Sequence, residues 1–175
     1  MNAYDFVAAT LHSLDELEAE VIVLPFFSDE RPLRGAAGLI DWRLCGALSR
    51  KLMAGYLHGT FGEKALLTTP AKLKSDKLLL IGLGASSGFD TGVAQRACGL
   101  IAEALIQANV SNAALVLPGR SLRLLPALEA MQLWLGVDLS DAQLEELSII
   151  ESTEEHRALD SLSDGLRRQA ESPLD

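Results

Sequence analysis

Seven apolar residues in a row, Val21-Ile22-Val23-Leu24-Pro25-Phe26-Phe27, restrict the fold more than any other stretch of this chain. A strand sends successive side chains to opposite faces, so a run without a polar position has to be covered on both. Residues 77–81 (KLLLI) and 113–117 (AALVL) repeat that pattern, and further strands are expected at 64–69 (KALLTT), at 147–151 (LSIIE) and, on an edge, at 4–10 (YDFVAAT). Segments of helical period separate them. The box Ser13-Leu14-Asp15-Glu16 predicts a brief helix from Leu14 to Ala19. Residues 38–57 read as one helix, with Cys45, Leu48, Leu52 and Tyr56 on its apolar side and Asp41, Arg50 and Lys51 elsewhere. Helices are also expected at about 91–109 and 122–135, and a last one opens at Ser152-Thr153-Glu154-Glu155 with Leu159, Leu162 and Leu166 as its stripe. Apolar strands alternating with helices make an α/β fold, a largely parallel sheet with helices on both faces.

A chain of 175 residues suits one domain with a real core. Its two cysteines, Cys45 and Cys98, sit in helix-like apolar patterns, which excludes a disulfide scaffold and points to a reducing, cytoplasmic setting. The first residues lack the basic flank and apolar run of a signal peptide, and no stretch approaches a membrane span. The net charge is −9, but it is uneven: residues 138–175 hold 11 acids against three bases, whereas residues 1–137 hold 13 against 12. Such an acidic balance opposes phosphate neutralisation, so nucleic acid is not an expected partner. The lysines of PAKLKSDK (Lys72, Lys74, Lys77) read as a solvated loop between strands.

The most suggestive local feature is Gly82-x-Gly84-x-x-x-Gly88, between a strand and a helix. Glycines let the backbone approach a phosphate, and free amides at a helix start favour an anion. Ser86, Ser87 and Thr91 would add hydroxyls, which makes Gly82, Gly84, Ser86, Ser87 and Gly88 the candidate ligand-binding residues; the competing reading is a tight turn packed under its helix. The spacing is one residue longer than the dinucleotide fingerprint, and no acid stands at the end of the next strand, where Gly119-Arg120 lie instead. Arg120 is the remaining candidate for a ribose 2′-phosphate. His12, His58 and His156 occupy no ligand spacing, no nucleophile elbow occurs, and the tail acids read as solvated helix faces, so no catalytic residue, metal site or cofactor is expected.

VIVLPFF, then Gly38-Leu39-Ile40-Asp41, then Gly59-Thr60-Phe61-Gly62-Glu63-Lys64, then KLLLIGLG with Phe89-Asp90, then the segment from Ala127 to Leu135 and the strand LSIIE together resemble, in order, the N-terminal domain of the leucyl (cytosol) aminopeptidases. The resemblance implies a three-layer α/β/α domain, macro-domain-like, with a mostly parallel or mixed sheet over residues 1–152. Residues 153–175, an amphipathic helix and acidic tail, would correspond to the family's interdomain linker. In the family this domain precedes a catalytic domain with two divalent metals. That domain's metal motif has no counterpart here, so no catalytic or metal-binding residue is carried over. Macro-domain kinship also implies a possible ADP-ribose or nucleotide ligand, yet Asn2, Asn109 and Asn112 are the only asparagines and none follows an expected strand. The leading expectation is therefore a free-standing, non-catalytic relative that works in assembly or regulation through protein contacts, with itself or with a separately encoded aminopeptidase. Trp42, Trp134 and the Leu159/Leu162/Leu166 helix are its candidate contact residues. The alternative is nucleotide-like binding at the loop from Gly82 to Gly88.

Overall fold

The computed structural model describes residues 4–69 and 71–171. Six strands, β1 (Tyr4–Ala8), β2 (Val21–Phe26), β3 (Lys64–Thr68), β4 (Lys77–Gly82), β5 (Asn112–Leu115) and β6 (Glu146–Glu151), form one sheet. Their order is β1-β6-β5-β2-β4-β3, parallel throughout except for β3, which runs antiparallel along β4 at one edge. The α/β class expected from the apolar runs is the one observed. In β2, Val21 and Val23 join the core on one side, while Ile22, Leu24 and Phe26 join the core on the other. β4 divides likewise, Leu79 and Ile81 against Leu78 and Leu80. From Val21 to Phe26 and from Leu78 to Ile81 the side chains on both faces are buried, which is why none of them is polar.

Helices α4 (Thr91–Ala108), α5 (Ala127–Leu135) and α6 (Thr153–Glu171) supply the first core, with Ile101, Trp134 and Leu159 fully buried. Helices α1 (Leu11–Glu16), α2 (Gly35–Arg43) and α3 (Ala47–Met53) supply the second, through Leu14, Ile40 and Leu48. Fully burying one such side chain is worth about 1.5–3 kcal/mol. Leu162 packs partly buried beside Leu159, and Leu166 lies outside the described side chains.

Local detail departs from the sequence reading at three helices. α1 starts at Leu11 because the Thr10 hydroxyl, rather than Ser13, caps it, accepting the Ser13 amide at 3.2 Å. The expected helix at 38–57 is two helices, broken where Cys45 (φ 58°) and Gly46 (φ 77°) turn left-handed. That break leaves Cys45 exposed, Tyr56 beyond the end of α3 and 77% exposed, and Asp41 buried. α5 begins only at Ala127, because Pro126 bars the helix from continuing backwards and the preceding turn holds Arg123 at φ 54°. Of the two tryptophans, Trp134 is core and Trp42 is exposed.

Candidate functional site

The parallel strands β2, β4, β5 and β6 end on one edge, where open α/β sheets place their ligand sites. Gly82 closes β4 there, and a Cβ on it would fall 2.0 Å from the Thr60 carbonyl oxygen. Gly84, at φ 79°, donates its amide to the Gly59 carbonyl (2.8 Å) and accepts the Ser28 amide (2.9 Å). Gly82 thus serves close packing of neighbouring backbone, and Gly84 serves the left-handed turn that makes these two bonds. Ser86–Gly88 forms a single 3-10 turn in which Ser87 and Gly88 are exposed, with open space where a Gly88 Cβ would be.

Carboxylates of the chain itself accept several amides along this edge. Asp29 accepts the Ser86 amide at 2.9 Å and the Ser86 hydroxyl at 2.6 Å, and these bonds, the hydroxyl's foremost, hold its pKa below the ordinary value. Asp90 caps α4 by accepting the Val93 amide at 2.8 Å. Glu30, buried, accepts the amides of Phe27 (3.2 Å) and Arg34 (2.9 Å) and the Ser121 hydroxyl (2.9 Å). Glu63 accepts the His58 and Gly59 amides; burial pushes its pKa up, but these bonds outweigh it and the net shift is downward. A phosphate at this turn would meet the charges of Asp29 and Asp90 on the donors it needs.

Arg120 is likewise engaged. Its side chain is 7% exposed, its Nε lies 2.5 Å from Glu151, and a terminal nitrogen donates to the Leu125 carbonyl. Phe89 stands edge-on to Phe27 with ring centroids 5.0 Å apart, and lies so close to Gly119 that a Cβ there would sit 2.5 Å from the ring. Among the described residues, no group of three or more His, Cys, Asp or Glu side chains could hold a metal ion. Sequence reasoning found the glycines and serines of the turn but missed Asp29, Glu30 and Glu63. The available signal was Ser28-Asp29-Glu30 directly after the β2 run, where an acid can reach the amides of adjacent loops.

The family description "Cytosol aminopeptidase family, N-terminal domain" matches residues 23–140. A probable cytosol aminopeptidase of Pseudomonas syringae pv. tomato is 30% identical over 96 residues, covering 55% of this chain and 19% of that protein. Another from Halorhodospira halophila is 33% identical over 90 residues, 51% of this chain and 18% of its own length. The chain therefore spans about a fifth of the length of the curated relatives it matches. A mutant of tomato leucine aminopeptidase superposes with TM-score 0.60 at 15% identity, over 95% of this chain and 36% of that one. The Trypanosoma brucei macrodomain in complex with ADP-ribose superposes with TM-score 0.67 at 13% identity, over 90% and 67%. These two likenesses establish a macrodomain-like fold. With residues 23–140 matched and the curated relatives agreeing, the chain belongs to the cytosol aminopeptidase family through that family's N-terminal domain.

Proposed function

We propose that this chain is a non-catalytic module of the cytoplasm that acts in assembly or regulation by holding a protein partner, either a second copy of itself or a separately encoded aminopeptidase. Residues 1–152 would form the macro-like body, and residues 153–175 the counterpart of an interdomain linker. The observation that carries this reading is the engagement of amides along the ligand edge by Asp29, Glu30, Glu63 and Asp90, which takes up donors that an anionic ligand would use. Analytical ultracentrifugation of the chain, alone and with a purified cytosol aminopeptidase, tests it. The expected result is self-association or a heavier complex, with no hydrolysis of a leucine anilide by the chain alone in added manganese or zinc. A monomer that leaves the aminopeptidase's sedimentation and rate unchanged overturns it, as does metal-dependent hydrolysis.

A second reading, a nucleotide-like ligand at Gly82, Gly84, Ser86, Ser87 and Gly88, is favoured by the open space at Gly88 and by the macrodomain fold of a neighbour solved with ADP-ribose. Thermal unfolding with ADP-ribose, ATP or NAD tests it. A ligand at 100-fold over its Kd adds about 2.7 kcal/mol, on the order of 5–10 °C at this chain length. Gly88→Val, whose Cβ would have no atom within 4 Å, should remove such a shift, and Asp29→Ala should enlarge it by freeing the Ser86 amide and removing the charge beside it.

A further inference from the structure

Away from that edge, the carboxyl end of α4 leaves part of the sheet uncovered. Leu66, at the centre of β3, is 61% exposed although its cross-strand neighbour Leu79 is buried. Of the side chains that α4 offers above them, Ala104 and Ala108 are small, and Gln107 is exposed beside them. The resulting cleft has a volume of about 320 Å³ and reaches core residue Val21, at the lower end of the range of roughly 300–1,000 Å³ typical of small-molecule sites.

Among the described residues, the charged side chains lining it are Lys64 and Lys77. Lys77 stands opposite Thr68, four residues along β3 from Lys64, so the two lie about 13 Å apart along the strands. Lys64 has Glu103 at 4.0 Å. Lys77 forms no ion pair among the described residues, and the nearby acid Glu20 is held by the Ser111 amide and hydroxyl at 2.8 and 2.7 Å. The slot is thus apolar, with a lysine at each end and, among the described residues, no acid in its lining. We propose that this cleft binds a medium-chain alkyl carboxylate, its chain lying over Leu66 and Leu79 and its carboxylate on the Lys77 ammonium. Apolar burial supplies the binding and the charge pair sets its direction. The proposal does not rest on the partner reading above.

Isothermal titration calorimetry of the whole chain with decanoate below its micellar concentration tests it. The expected result is saturable 1:1 binding with Kd below about 1 mM, weakened about tenfold by Lys77→Met. Neutral decanamide should bind more weakly than decanoate and be indifferent to Lys77→Met. Ala108→Phe, at an exposed position in the last turn of α4, should abolish both while the melting temperature stays within a few degrees of the parent. Absence of saturable binding, or unchanged affinity in the Ala108→Phe or Lys77→Met protein, overturns the proposal. So does a dimer that Leu66→Lys splits in sedimentation, because a second copy would then cover the cleft.

Discussion

Asp41 shows how a single polar residue stabilises a backbone break. Its carboxylate, 8% exposed, accepts the Leu48 amide at 2.8 Å and the Ser49 amide at 3.1 Å, filling the first-turn donors of α3 after the left-handed Cys45 and Gly46. Leaving those donors unpaired costs about 1–3 kcal/mol, so Asp41→Ala should lower the urea midpoint by the equivalent amount, and Asp41→Asn, which keeps one acceptor, by less. Periodicity placed Asp41 on a polar face because it extended one helix through Gly46; the buried acceptor exists only because the helix breaks. The break also sets the two thiols apart. Cys45 is exposed by the break, whereas burial on α4 pushes Cys98 up to about 12. A thiol reagent at neutral pH should therefore titrate one cysteine in the native chain and two after unfolding.

Among the elements, the joint between β6 and α6 depends on a buried ion pair. Arg120 and Glu151 have side chains 7% and 9% exposed, and Glu151 also accepts the Ser152 amide just before α6 at 2.8 Å. Arg120→Ala would strand a buried carboxylate at a cost of about 3–5 kcal/mol, while replacing both partners with methionine should recover most of it. Chemical denaturation of the single and double variants checks this. The sequence exposed Arg120 as the residue after the β5 run but not its partner, 31 positions away, because parallel strands bring together residues far apart in the chain. Strand elements were legible from composition alone, since β2 and β4 are apolar at every covered position. Helix ends were less so: Thr10 displaced Ser13 as the cap, and Pro126 moved the start of α5.

For the whole molecule, acidity sets the lower limit of stability. Glu20, Glu63 and Asp29 all have carboxyls below their ordinary values, for Glu20 and Asp29 chiefly through hydroxyl and amide donors and for Glu63 through amides that overcome its burial. Their contribution is therefore complete above the ordinary glutamate value of 4.5 and is lost as pH falls through the lower folded values. The melting temperature should be level near neutrality and decline below about pH 4.5, and Glu63→Gln should lower it at neutral pH while flattening that decline. At this scale the sequence by itself determined the α/β class, the covered strands and the family, because burial on both faces leaves its mark on every residue of a strand and that mark is local. The surroundings of the candidate turn come from the tertiary structure alone. Whether Gly82, Gly84 and Ser86 face a ligand or the chain depends on Thr60, Gly59 and Asp29, which the fold brings from other loops. The cleft beside β3 arises in the same way: no local pattern records that the small side chains of α4 stand above Leu66, because that gap is a property of two surfaces meeting and not of either segment.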